Sequence, residues 1–232
     1  MEISSEASAF AILIAGFVIG MRHALDADHL AAVSTIISGR RSLWSMPFVG
    51  GLWGIGHTVA LFATGALVVM LKINISGVAE KYLEAAVGLM LIFLGANVVR
   101  KLFRAEKLHA HEHSHKGHGH THIHIHTSEE REHHGFGIRS VIIGMIHGLA
   151  GSAGLMLLIL PTIDSRPLAL IFILVFGIGS IFGMILMSFL MGIPLHFTAA
   201  RFNKLNKGLR AAAGIFSLLW GFTIIGQKLF TV

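Results

Sequence analysis

Eight consecutive residues, Arg22-His23-Ala24-Leu25-Asp26-Ala27-Asp28-His29, set two imidazoles, two carboxylates and a guanidinium inside an otherwise apolar run. Imidazole and carboxylate together are ligands for a borderline divalent ion, imidazole suiting nickel, cobalt, zinc or copper. On an unbroken helix, turning about 100° per residue, His23, Asp26 and His29 share one face and Asp28 points away from it. Asp28 then either holds Arg22 or a histidine N–H from behind the ligands, or the helix is broken here. Arg22 is the expected counter-ion of the aspartates while no cation is bound. Two more histidines stand in apolar runs. His57 follows Gly54 and Gly56, which permit close helix approach, and His147 lies in Ile143-Gly144-Met145-Ile146-His147-Gly148-Leu149. A lone histidine on an apolar helix is ordinarily an interhelical hydrogen-bond donor. The internal repeat described below makes both candidate ligands. His196, beside Pro194, reads as interfacial.

A second histidine set has another character. His109, His111, His113, His115, His118, His120, His122, His124 and His126 alternate with small or apolar residues, and His133 and His134 follow. Nothing in this stretch can build a core, so disorder is the expectation. Spacing at i, i+2 still brings alternate rings to one side of an extended chain. The stretch reads as a weak, promiscuous metal buffer. The chain has no cysteine, which excludes thiolate metal sites and disulfides.

The elements that must hold these groups are set by an apolar solvent. Of 232 residues 54% are hydrophobic and 13% charged, with a mean hydropathy of +0.74. A soluble domain carries roughly 25% charged residues. Apolar windows predict six membrane helices, at 7–37, 44–71, 82–100, 139–161, 167–192 and 209–227. The start, Met1, Glu2, Ser4 and Glu6, has no basic region of the kind that opens a cleavable signal. An ionisable residue at membrane depth costs about 2.5–3.5 kcal/mol, so the knot at 22–29 must face protein or a water-filled cavity.

The two halves resemble each other. Residues 19–25 match 143–149, Gly54-Ile55-Gly56-His57 matches Gly177-Ile178-Gly179-Ser180, 81–88 match 207–214, and Gly95 meets Gly221. Three spans per half is an odd number, so the second half enters the membrane from the opposite side. The expected fold is therefore all-α, a polytopic membrane protein of six transmembrane helices built as two inverted three-helix repeats, an architecture of secondary transporters. Residues 1–100 form the first repeat, 101–138 a polar loop and 139–232 the second repeat. Thirteen of the eighteen basic residues, among them Arg40, Arg41, Arg100, Lys101, Arg139, Arg201 and Lys204, fall on the loop side. Both termini are thus expected outside and the histidine-rich loop in the cytoplasm. This bias also accounts for the net charge of +6 as lipid-facing, without a nucleic-acid partner.

At His23, Asp28 and His29 the chain resembles the nickel/cobalt transporter family, whose signature is His-x4-Asp-His in a membrane helix. Gly56-His57-Thr58-Val59 is similar to that family's second motif. The six-span form looks most like its urease-associated nickel permease branch. The resemblance implies uptake of Ni²⁺ or Co²⁺ as substrate into bacteria across the inner membrane, the signature His and Asp residues being essential, with no organic cofactor. It implies nickel chaperones or urease maturation proteins as cytoplasmic partners. Two departures stand out: members typically have eight helices, and an acidic stretch of their second half is replaced here by residues 147–154. A related efflux branch also carries a histidine-rich loop, so export is the alternative. A membrane enzyme is the more distant one. The metalloprotease motif His-Glu-x-x-His is absent, whereas His23, His29, His57 and His147 could in principle be paired around haem.

Overall fold

Apolar side chains face outward and imidazoles inward, the reverse of a water-soluble domain. Phe93, Phe182, Phe10 and Leu219 are exposed, whereas His29, His57, His147, Ser180 and Ser217 are buried. A hydrocarbon solvent produces this arrangement. The computed structural model describes residues 2–40, 42–71, 76–104, 111–115, 118–122, 136–150, 163 and 165–230. These residues form seven helices: α1 (Glu2–His23), α2 (Ala27–Ile37), α3 (Ser45–Leu71), α4 (Gly77–Arg104), α5 (Phe136–Ala150), α6 (Arg166–Arg201) and α7 (Asn203–Phe230). Among them α3, α4, α6 and α7 are long and apolar enough to cross a membrane, and α1 with α2 makes a fifth crossing if the bent pair is one span. The apolar helix α5 is shorter; the rest of the expected span 139–161 lies outside the described residues.

The span expected at 7–37 is broken, one of the two alternatives the position of Asp28 left open. Helix α1 ends at His23, where Leu25 N–H donates to the Arg22 carbonyl at 2.8 Å and Asp26 N–H to the His23 carbonyl at 3.1 Å. Extended backbone at Asp26 (φ −61°, ψ 147°) then opens α2, and the two segments meet at a bend of 56°. An aspartate preceding a helix usually caps its free N–H groups, but the Asp26 side chain caps nothing here. Within α2 the buried hydroxyls of Ser34 and Thr35 bond back to the carbonyls of Ala31 and Ala32, which satisfies them without a neighbouring helix.

The start of α6 is fixed by Ser165, whose Oγ accepts the Leu168 N–H at 3.5 Å, with proline in the first turn. Helix α6 packs against α1 and α3, α5 against α3, and α7 against α4 and α2. The crossings are backbone-close. A Cβ placed on Gly20 would lie 2.1 Å from the Phe176 carbonyl oxygen, and one on Gly144 2.0 Å from that of Trp53. The same holds for Gly56 on Val141 at 2.1 Å and Gly179 on Phe17 at 2.2 Å. Between α4 and α7, Ser217 Oγ donates to the Leu91 carbonyl at 2.9 Å and Lys228 pairs with Glu84.

Ten residues of the histidine-rich loop are described, as two short strands. Strands β1 (His111–His115) and β2 (His118–His122) pair antiparallel, with His111 opposite His122, His113 opposite His120 and His115 opposite His118. Strict alternation is the period of a strand, so a stretch unable to build a core can still pair as a ribbon. This ribbon is the departure from an all-helical description. His109, His124 and His126 lie outside the described residues.

Candidate metal centre

The break in the first span brings two histidines of one chain segment together. His23 closes α1 and His29 stands in the first turns of α2, and their ring centroids are 4.4 Å apart. A straight helix would have set them six residues, or about 9 Å of axial rise, apart. His57, midway along α3, approaches both, at 5.4 Å from His23 and 5.2 Å from His29. His147, in the last turn of α5, lies 4.2 Å from His29 and 6.0 Å from His57. All four candidate histidines therefore meet, on four different helices, and none exceeds 4% exposure.

The aspartates hold the rings from behind. His23 Nδ1–H donates to Asp26 Oδ2 at 2.7 Å. His29 Nδ1–H donates to Asp28 Oδ1 at 3.1 Å, and the His29 backbone N–H reaches the same oxygen at 2.9 Å. Asp28 Oδ2 accepts from His147 Nε2–H at 2.9 Å. These bonds explain the idle cap at Asp26, whose carboxylate is spent on a ring. With both Nδ1 atoms of His23 and His29 protonated against carboxylates, their Nε2 atoms carry the lone pairs. Those two atoms, and both ring nitrogens of His57, are buried and without a hydrogen-bond partner, as are His147 Nδ1 and Trp53 Nε1.

Buried polar atoms in native proteins are nearly always paired, so this many orphans in one place is a chemical statement. One ligand atom each from His23, His29 and His57 falls within 4.8 Å of the others, and the same is true of Asp28, His29 and His147. In the second set the oxygens and nitrogens already satisfy one another. The first set is open. Three imidazoles, those of His23 and His29 backed by carboxylates, form a donor set that suits a divalent transition metal, the carboxylates fixing ring orientation and raising ligand basicity.

Two residues of the site escaped the sequence reading. The Trp53 ring packs 5.3 Å from His29 and 5.5 Å from His147, and the Phe176 ring 5.5 Å from His23. Trp53 stands one helical turn before His57, which was the available signal. Arg22, expected as counter-ion, is exposed; among the described residues the ion pairs of Asp26 and Asp28 are with histidines. His196 packs against Phe197, ring centroids 5.7 Å apart.

Fold and site thus define a helical membrane protein with a buried histidine–carboxylate centre. The chain is 35% identical over 90% of its length to the urease accessory protein UreH of Bacillus sp. (strain TB-90), covering 88% of that protein. It belongs to the UreH family. It is also 27% and 28% identical, over 93% and 73% of its length, to the chloroplast proteins FOR GROWTH AND FERTILITY 2 and 1 of Arabidopsis thaliana, spanning about half of each. No family model and no solved structure matches the chain.

Proposed function

We propose that this chain is a secondary transporter of a divalent transition-metal ion, nickel before cobalt, carrying it into the cytoplasm across the bacterial inner membrane. The observation that carries the reading is the set of three unpartnered imidazole edges, His23 and His29 Nε2 with His57, converging inside the apolar bundle. Asp26 and Asp28 orient the rings and supply two negative charges against a dication. Asp28 and His147 offer a neighbouring position that shares His29. The choice of nickel comes from the family resemblance and from the urease context in the relative's name.

Six spans in two inverted repeats complete the reading, α1 with α2 counting as one broken span and α5 standing within the span expected at 139–161. The glycine crossings support it. Gly20 on Phe176 and Gly144 on Trp53 are one contact repeated at offsets of 124 and 123, and so are Gly56 on Val141 and Gly179 on Phe17. Exchanging the halves maps each contact onto its mate. Charge bias then sets both termini outside and the histidine loop inside, where it collects the released ion beside cytoplasmic nickel chaperones or urease maturation proteins. No organic cofactor enters this scheme.

Metal content and affinity of the purified protein test the site: the parent is expected to bind about one Ni²⁺ tightly and His23→Ala and Asp28→Ala to lose it. Equal affinity in parent and variants would refute the core site. Direction is read from radioactive nickel in intact cells, a net rise with the gene supporting uptake and a net fall supporting export.

A further inference from the structure

The aromatic rings around the cluster repeat with the same symmetry as the glycines. Phe176 follows Trp53 by 123 residues, and His147 follows His23 by 124. The contact of Trp53 with His147 and that of Phe176 with His23, both at 5.5 Å, are therefore one contact made twice. Trp53 and Phe176 are among the largest fully buried side chains, at 1% and 0% exposure. Trp53 lies one turn before His57, toward the start of α3, and Phe176 one turn before Ser180, toward the start of α6. Helices α3 and α6 are packed together and, in inverted repeats, run in opposite directions. The two rings thus bracket the cluster from opposite faces of the membrane.

We infer that Trp53 and Phe176 are the two gates of the ion path, Trp53 closing the cluster toward the cytoplasm and Phe176 closing it toward the outside. The inference rests on the two-repeat transport reading. With all four histidines buried, both gates are shut. Each gate's own backbone carbonyl is the atom seated on a glycine of the other repeat, Trp53 on Gly144 and Phe176 on Gly20. No side chain fits at either seat, so these crossings are fulcra: tilting one repeat against the other pivots there and swings a ring off its histidine. The gates are not equivalent. Trp53 Nε1–H is buried without a partner, a penalty relieved once that ring turns toward water, and Phe176 carries no such group. The inner gate is the more readily opened.

A chain without cysteine allows a direct test. His57→Cys places a thiol in the cluster, and its reaction with a membrane-impermeant reagent is followed in vesicles of known sidedness. With both gates intact, labelling is expected to be slow from either face. Adding Trp53→Ala is expected to speed it at least tenfold from the cytoplasmic face alone, and Phe176→Ala from the outer face alone. Trp53→Leu and Phe176→Leu serve where the alanine variants elute poorly, and labelling after denaturation confirms that the thiol is present. Acceleration from one and the same face by both substitutions, or by neither, overturns the gates. Labelling does not depend on cargo, so absence of Ni²⁺ binding by the parent protein, which keeps His57, would refute the transport reading, whereas unsided labelling in a chain whose parent binds Ni²⁺ would refute the gates alone.

Discussion

His29 is the residue on which the chemistry converges, since it belongs to both groups of possible ligands and touches Trp53 as well. Replacing it should therefore be costlier than replacing any other member. His29→Ala is expected to weaken Ni²⁺ binding at least about 100-fold, whereas losing a carboxylate that only orients a ring typically costs about 10–100-fold. Asp28→Asn should exceed Asp26→Asn, because Asp28 holds two rings and Asp26 one. Equilibrium titration of the purified variants gives the order; Asp26→Asn as the most damaging change would contradict it. The four histidines were legible as candidates because charge in an apolar run demands a partner. The aromatic rings against them were not, since Trp and Phe in a membrane helix carry no pattern that separates a site wall from ordinary packing.

Among the elements, the broken first span does what no straight helix could: it folds His23 and His29 onto each other. The run of apolar residues revealed the span, and Asp26-Ala27-Asp28 hinted at a helix start. The alternative of an unbroken helix could not be dismissed from spacing, because both conformations keep polar groups off lipid. The glycine crossings are the other device at this scale. Gly144→Ala and Gly20→Ala drive a Cβ to about 2 Å from a backbone oxygen, and overpacking of this kind costs about 1–3 kcal/mol. Gly208 and Gly226, with nothing within 4 Å, lie in α7, where Gly→Ala is expected to be neutral or to gain up to about 1 kcal/mol of helix propensity. Thermal unfolding in detergent should rank the four in that order, with the first two lowering the apparent Tm and the latter two leaving or raising it. Equal tolerance at all four sites would mean the crossings are looser than drawn.

At the scale of the whole molecule, the core site and the histidine ribbon are, under the function proposed above, two separate places for metal on one chain. Removing residues 105–135 is expected to lower the number of Ni²⁺ ions bound while leaving the tightest one unchanged in affinity, as titration of the shortened protein would register; loss of the tight ion would place it in the loop. The repeat and its charge bias were readable from sequence because symmetry and loop charge are properties of composition and order. The pairing of His111–His115 with His118–His122 was not, since alternation alone fits a free extended chain as well as a ribbon. One feature gives the molecule its own spectroscopic handle. Of its three tryptophans, Trp44 is 78% exposed on the bundle's outside and Trp220 is partly covered, whereas Trp53 is sealed against His29 and His147. A paramagnetic ion held by those imidazoles would sit within a few ångströms of the Trp53 indole. Intrinsic fluorescence should therefore fall in a single saturable step as Ni²⁺ is added, its blue-shifted component vanishing first, and Trp53→Phe should abolish that step while leaving the emission of Trp44.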